Sequence, residues 1–515
     1  MFSFNALKEP WIPVELTDGN TEHMCILGTL KNAHRIRRIC AASPLVSYSI
    51  QRILIAFLID AFRPDFISDI SDLVAEGHFS EAVIDAYVIA CNKDGERFDL
   101  FDEKHPFLQS PLDNEVKQGD KTIAAKLFLE LPVGNNHTHF WHKLEDSYSF
   151  SPAECLQALC TFTAFATNEG KSRFYSINGM PPIYFLYEGK NLFETLAGSM
   201  VCRIEHLELS LDEPPVIWRS NVKIPVTGKI AKVSLLHGLT SAPRRVTLIP
   251  IKTENRIEIR DIYFARGWDY KELTNWTDPH VVYYYNNKKE RVNLKAKKSR
   301  AVWRDMGRIL DTNTDLRILK TIREKMNIDD VSPFVTLHTY GLIGGIKGAT
   351  YAVYSWCEDT FTIDLRLMED VEKLDILKNT IILIEIIGTT LNGIIKRSVK
   401  KLEGKTNSQK DKSRFANLSE QVCSLYFSSA RDFILSEFCS TLTEANSSVI
   451  DWDMPIRERT GEAIKHAAKD AFNTIAKGLG NSAKILQWQA LAEKSLERSI
   501  FKELKKGGWL DDRTQ

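Results

Sequence analysis

The chain has 515 residues, and its 67 lysines and arginines are matched by 67 aspartates and glutamates. Zero formal net charge gives no long-range pull towards nucleic acid or an anionic membrane, so a polyanion would have to be held by local patches. With 43% hydrophobic and 26% charged residues, the composition excludes a disordered chain, and the length predicts two to four domains. The nine cysteines are odd in number and contain no CxxC pair, which argues against a disulfide framework or a cysteine zinc site. Reduced thiols in a cytoplasmic protein are expected. The start, MFSFNALKEPWIPVEL, lacks the basic and apolar regions of a signal peptide. The run Ile381–Ile395, taken as the most apolar stretch, holds Glu385 and Asn392 and is shorter than the roughly 20 residues of a membrane span. No membrane partner is expected.

In chain order, residues 44–63 carry Ile50, Ile53, Leu54, Phe57, Leu58 and Phe62 at helical spacing, and Pro44 suits a first helical turn. A second helix is predicted over 152–167, with Ser151 as N-cap and Glu154 completing a capping box. Between 216 and 285, the runs VIWRS, RRVTLIPIK, RIEIRDIYFA and HVVYYY are β-branched and aromatic-rich and predict strands. After about residue 370 the texture changes. Leu374, Leu377, Ile381, Ile384, Ile387, Leu391, Ile394 and Leu402 keep a three-to-four residue beat, and amphipathic segments follow at 416–443, 457–478 and 482–506. Four long amphipathic helices predict a bundle. The expected class is α+β: a large mixed domain over 1–370, then a C-terminal four-helix bundle over 371–515.

No GxxxxGK[ST], HExxH, GxSxG or GxGxxG motif following a strand is found, so no catalytic residue is assigned. The densest histidine group, His137, His139 and His142, has the spacing of metal ligands on an extended backbone. No cysteine or acidic motif completes it. It is read as a packed or partner-contacting loop, with no metal and no cofactor, and a metal-dependent nuclease using these three histidines is kept as the alternative. Two basic runs stand out. Residues 288–304 hold Lys288, Lys289, Arg291, Lys295, Lys297, Lys298, Arg300 and Arg304. Residues 396–414 hold Lys396, Arg397, Lys400, Lys401, Lys405, Lys410, Lys412 and Arg414. Two such runs point to phosphate contacts as readily as to solvated faces. Two segments are marked by glycine: 168–182, where Asn178-Gly179 signals a tight turn, and 340–350, with four glycines around Lys347.

Several stretches, in their order and spacing, resemble one family: EPWIPV at Glu9–Val14, HPFLQ at His105–Gln109, NNHTHFWH at Asn135–His142 followed by SFSPAECLQAL, and SINGMPPIYFLYEGKNLFETL at Ser176–Leu196. The chain is similar to CasA, the large subunit of the type I-E CRISPR surveillance complex Cascade, from Trp11 to the C-terminal segments. The resemblance implies an α/β domain of unusual fold and a four-helix bundle, and no chemistry of its own. It also implies recognition of a protospacer-adjacent motif in double-stranded DNA, the start of unwinding, and docking of an effector helicase-nuclease. The implied partners are other Cascade subunits, the guide RNA, target duplex DNA and that effector. Minor-groove readout is degenerate and suits a promiscuous motif, with sequence left to guide pairing. Residue by residue, the motif loop falls on Lys171, Ser172, Arg173, Asn178 and Gly179, and the motif lysine on Arg266 or Lys271. The strand-separating wedge falls on Gly345, Ile346, Lys347, Gly348 and Ala349. Contacts to guide RNA and neighbouring subunits fall on Asn136, His139, Phe140, Trp141 and His142.

Overall fold

The computed structural model describes residues 2–117, 120–131, 148–167, 177–203, 215–221, 229–241, 243–254, 256–311, 313–329, 332–347, 350–402, 415, 417–444 and 454–510. The chain divides into two compact units, Met1–Val302 with Asn313–Thr360, and Trp303–Thr312 with Phe361–Gln515.

The first unit mixes helices with small sheets. Its strands are β1 (Ile12–Leu16), β2 (Thr21–Met24), β3 (Ile36–Ile39), β4 (Asp120–Ile123), β5 (Ile183–Tyr187), β6 (Arg244–Lys252), β7 (Ile257–Arg266), β8 (Tyr283–Tyr285), β9 (Arg291–Asn293), β10 (Phe334–Lys347) and β11 (Thr350–Asp364). They order as β2-β1-β3, β11-β10-β5, β4-β7-β6 and β8-β9. β6 and β7 pair antiparallel from Arg244 opposite Arg266 to Lys252 opposite Ile257. The register slips between Ile249 and Pro250, where proline has no N–H for the ladder.

Helix Pro44–Phe62 runs through this core. Ser43 Oγ caps its start by accepting from Val46 N at 3.4 Å, with Pro44 in the first turn. Among the described residues it is the helix long and apolar enough to cross a membrane, and 89% of its apolar window is buried inside the protein. This helix is apolar all round because it is enclosed by helices Pro152–Phe165 and Leu235–Thr240 and by β10. The expected capping box at Ser151 and Glu154 is present: Ser151 Oγ accepts from Glu154 N at 3.2 Å, and Glu154 Oε2 accepts from Ser151 N at 2.7 Å. β6 and β7 fall where their sequences predicted strands. VIWRS does not: Ile217–Arg219 is a single 3₁₀ turn. Trp218 there turns inward onto Phe57, Phe98 and Phe107 and donates to the Tyr87 hydroxyl at 2.8 Å. Side-chain packing, with no partner strand among the described residues, decides that segment.

The second unit is a four-helix bundle. Its helices are Val371–Leu402; Leu418–Phe433 continued through a π turn at Ile434–Phe438 into Cys439–Glu444; Met454–Lys477; and Ala483–Lys506. The first packs on the second and fourth, and the third also packs on the second and fourth. Every residue of the periodic run from Leu374 to Leu402 is buried, as a core-facing stripe requires. Segment Trp303–Thr312 joins this unit. Arg304 donates to both Glu385 oxygens at 2.6 and 2.5 Å, and its guanidinium lies 3.6 Å over the Phe427 ring.

Candidate nucleic-acid interface

Asn178 belongs to a buried polar network. Arg52, in the middle of helix Pro44–Phe62, is 1% exposed and forms a two-pronged ion pair with Asp278, which is fully buried. Arg52 Nη2 donates to Asp278 Oδ2 at 2.7 Å and Nη1 to Oδ1 at 3.2 Å. The other guanidinium donors reach Leu239 O, Gly238 O and the Tyr48 hydroxyl. Every donor of the fork is therefore used, which is what a charge pair this deep needs in order to persist. Burial opposes ionisation of Asp278, but the Arg52 guanidinium outweighs it and holds the carboxyl below its usual range. Asp278 Oδ2 also accepts from Asn178 Nδ2 at 2.7 Å, while Asn178 Oδ1 accepts from Trp276 Nε1 at 2.6 Å and from the Tyr283 hydroxyl at 3.2 Å. Asn293 Nδ2 closes the set on Asn178 O at 3.1 Å.

Of the residues expected in the motif loop, Asn178 is 9% exposed, and its amide is spent on Asp278, Trp276 and Tyr283. Gly179 follows with φ of +73°, a backbone region where glycine alone is unstrained. Lys171, Ser172 and Arg173 lie outside the described residues. The Arg52–Asp278 pair was missed from sequence, although a Gln51-Arg52 step inside an otherwise apolar helix was its visible signal.

Arg266 is exposed at the end of β7, and its carbonyl accepts from Arg245 Nε at 2.8 Å. Lys271 sits in the turn beyond the strand, not in a strand pair as expected. Its backbone N–H donates to Asp269 Oδ1 at 3.1 Å. Its side chain is exposed and forms no ion pair among the described residues.

The glycine segment at 340–350 lies largely in β10, and β11 begins at Thr350. Gly341 is required by close approach: a Cβ there would sit 2.8 Å from Cys357 Sγ and 2.9 Å from the Ala296 Cβ. Gly345 faces the Tyr354 ring. Ile346 and Lys347 end β10, and Gly348 and Ala349 lie outside the described residues. The sheet below is tied by His338 on β10. Its Nδ1 donates to Glu188 Oε2 at 3.0 Å and its Nε2 to Glu358 Oε1 at 2.8 Å. Burial works against the charged ring, but the two carboxylates outweigh it and push the pKa up to about 9.

In the bundle, Lys396, Arg397, Lys400 and Lys401 occupy the last turns of helix Val371–Leu402. Lys396, Arg397 and Lys401 are exposed and form no ion pair among the described residues. Arg397 and Lys401, with Lys484 from the last helix, line a groove of about 450 Å³. Cations at a helix C-terminus also complement its dipole, which stabilises the helix. Lys405, Lys410, Lys412 and Arg414 lie outside the described residues, as do Asn136, Phe140, Trp141 and the histidines His137, His139 and His142. The other basic run is not one face. Arg291 pairs with Asp315 at 3.1 Å and lies over Tyr283, and Arg304 is committed to Glu385.

The sequence signatures prove to be packing elements. Trp11 is fully buried; its carbonyl accepts from Gln157 Nε2 at 2.7 Å, joining EPWIPV to the SPAE helix. In HPFLQ, Phe107 stacks among Phe98 and Trp218, and Gln109 Oε1 accepts from Leu248 N at 2.8 Å, fastening the segment to β6.

Small antiparallel sheets around one enclosed helix, with a four-helix bundle as second unit, define a two-part α+β protein with exposed cations gathered at one helix end. The sequence model of the family described as CRISPR-associated protein Cse1 matches residues 5–498, and the chain belongs to that family. Three solved structures share its fold. Thermus thermophilus CasA (Cse1) is 21% identical, with 98% of this chain and all of that one covered and a TM-score of 0.73. Thermobifida fusca Cse1 is 18% identical, covers 98% of each chain and has a TM-score of 0.72. A chain of a CRISPR RNA-guided surveillance complex is 16% identical, with 96% of this chain and 99% of that one covered and a TM-score of 0.69. A comparison with curated proteins gave no match.

Proposed function

We propose that this chain is the non-catalytic large subunit of a type I-E RNA-guided Cascade complex. In this reading it recognises the protospacer-adjacent motif in duplex DNA, starts the opening that becomes an R-loop, and docks the effector helicase-nuclease. The observation that carries the reading is the Cse1 family match over residues 5–498. The fold likeness to a chain of an RNA-guided surveillance complex supports it. Lys271, exposed in the turn beyond β7, is the better candidate of the two for the motif-reading cation, and Lys171, Ser172 and Arg173, which precede Asn178 and Gly179 in the sequence, contact the duplex. Gly345–Ala349 is the wedge: a segment that starts with Gly345 near the end of β10, on a sheet fastened by His338, enters a stack worth roughly 1.4 kcal/mol per step. Asn136, His139, Phe140, Trp141 and His142 face guide RNA and neighbouring subunits. Lys396, Arg397, Lys400, Lys401, Lys405, Lys410, Lys412 and Arg414 hold target DNA through phosphates, without base readout.

The test is affinity purification of this chain from cells carrying the guide RNA and the other subunits, followed by identification of what co-purifies and a nuclease assay with Mg²⁺, Mn²⁺ and Zn²⁺. Stoichiometric RNA and subunits with no cleavage are expected. Cleavage that survives purification and vanishes in His139→Ala would replace this reading with the nuclease one.

A further inference from the structure

The Asn178 network and the His338 bridge, both in the first unit, meet through one column of stacked rings. His338 and Tyr340 lie two apart on β10, so their side chains share a face of the sheet. Tyr184 sits directly opposite Tyr340 on β5. Helix Pro44–Phe62 packs on β10 and sets Tyr48, Gln51 and Arg52, at spacings of three and four, on one of its sides. The contacts follow from that placement. The His338 ring stacks on Tyr340 with centroids 4.3 Å apart, Tyr340 meets Tyr48 at 5.3 Å, and Tyr48 stacks on Tyr184 at 4.5 Å. Tyr48, Tyr184 and Tyr340 are at most 3% exposed, and every hydroxyl is tied. That of Tyr340 accepts from Gln51 Nε2 at 3.4 Å, and that of Tyr48 from Arg52 Nη1 at 3.1 Å. The Tyr184 hydroxyl donates to Ala164 O at 2.8 Å and accepts from Asn178 Nδ2 at 3.2 Å. The column therefore ends on the amide that also holds Asp278 and Trp276. Rings packed at interior density do not move singly, so a displacement at one end is passed along the stack.

The other end of the column rests on a group with two states. Glu188, just after β5, and Glu358 on β11 grip His338 through its two ring nitrogens. Arg38 of β3 also acts on Glu358 and is itself paired with Glu15 at 2.8 Å. A charged imidazole donates to both carboxylates. A neutral one has a single N–H and must release one of them. We propose that His338, Tyr340, Tyr48 and Tyr184 are positioning residues that couple the β5-β10-β11 sheet to Asn178, so that a change in the grip on His338 is felt where Trp276 meets Asn178. Under the function proposed above, β10 leads towards the wedge and Asn178 belongs to the motif segment, and the column sets one against the other. That consequence rests on the proposed function, whereas the coupling is a property of the folded chain and is tested without DNA.

The experiment is fluorine NMR of the full-length chain carrying 5-fluorotryptophan, titrated from neutral to alkaline pH, with the Trp276 signal assigned by Trp276→Phe. Circular dichroism over the same range checks that the chain stays folded. His338 loses its proton at about pH 9, and the Trp276 signal should move with that midpoint, because the indole donates to Asn178 Oδ1. The signal of Trp488, in the second unit, should not follow it. His338→Gln should abolish the movement of Trp276. Tyr340→Phe keeps the stacked ring and should retain the movement, while Tyr340→Leu removes the ring and should lose most of it. If Tyr340→Leu fails to fold, the comparison of the parent with His338→Gln decides. A Trp276 signal that stays still through pH 9 in the folded parent would overturn the coupling. So would a movement that persists in His338→Gln or is undiminished in folded Tyr340→Leu.

Discussion

Arg52 in the first unit and the cations at the end of helix Val371–Leu402 in the second carry positive charge in opposite ways. In the α/β unit, Arg52 is sealed inside the core, every donor spent on Asp278, Tyr48 and two backbone carbonyls. In the bundle, Lys396, Arg397 and Lys401 stand in solvent without an ion pair among the described residues. A buried, saturated cation fixes geometry and has nothing left for a ligand. An exposed cation specifies little geometry but can exchange counterions for phosphates. The same residue types are thus buried and saturated at Arg52 and exposed without an ion pair among the described residues at Lys396, Arg397 and Lys401, and a count of basic residues does not separate them.

The largest expected effect breaks the buried half of that comparison. Arg52→Ala or Asp278→Ala leaves an uncompensated charge in the core and should cost about 3–5 kcal/mol of folding stability in denaturant titration. A loss under about 1 kcal/mol would show that water reaches the pair. Asn178→Ala should be milder, leaving Trp276 Nε1 without its acceptor at about 1–3 kcal/mol. It should weaken motif binding with the salt dependence unchanged.

The exposed half is tested by Lys396→Glu/Arg397→Glu/Lys401→Glu. Stability should stay within about 0.5 kcal/mol. DNA affinity of the assembled complex should fall for all sequences alike, with the log–log salt slope flattened by about 0.9 for each phosphate no longer neutralised. An unchanged slope would leave these cations as a solvated helix end.

A third change concerns pH. The folded pKa of His338 is raised from the usual 6.5 to about 9, so the stability from its paired charge is fully present below about 6.5 and is lost as pH rises through 9. His237 and His280 are lowered to about 4, so the stability from keeping them neutral is present above 6.5 and is lost as pH falls towards 4. His338→Gln should therefore flatten the alkaline limb of a thermal-midpoint profile and spare the acid limb. An alkaline limb identical to the parent's would show that the charged ring does not fasten the sheet. The smallest effect is Ser151→Ala, which deletes a helix cap and should cost about 1 kcal/mol in the same assay.

Local signals in this chain were legible where the element itself satisfies them. Ser151 and Glu154 cap their helix whatever surrounds it, and the beat from Leu374 to Leu402 needs only some partner to bury against. VIWRS misled because its β-branched and aromatic residues are placed by the Trp218 pocket and not by a ladder. The candidate site was less legible. Asn178 was picked out for its turn, yet its amide answers to Trp276, Asp278 and Tyr283, each about a hundred residues away in sequence. Arg52 and Asp278 are 226 residues apart, and no local pattern joins them. Signatures such as EPWIPV and HPFLQ identified the family correctly, although Trp11 and Phe107 serve packing.

The central claim is that this chain opens duplex DNA for a guide-RNA complex. The direct measurement is R-loop formation by that complex with and without the chain, on intact duplex and on DNA already unpaired beside the motif. The intact duplex is predicted to open only when the chain is present, and Lys347→Ala/Gly348→Ala to impair this step while pre-melted DNA still forms the R-loop. Equal R-loop formation on intact duplex without the chain, or equal impairment on both substrates in the variant, would contradict it.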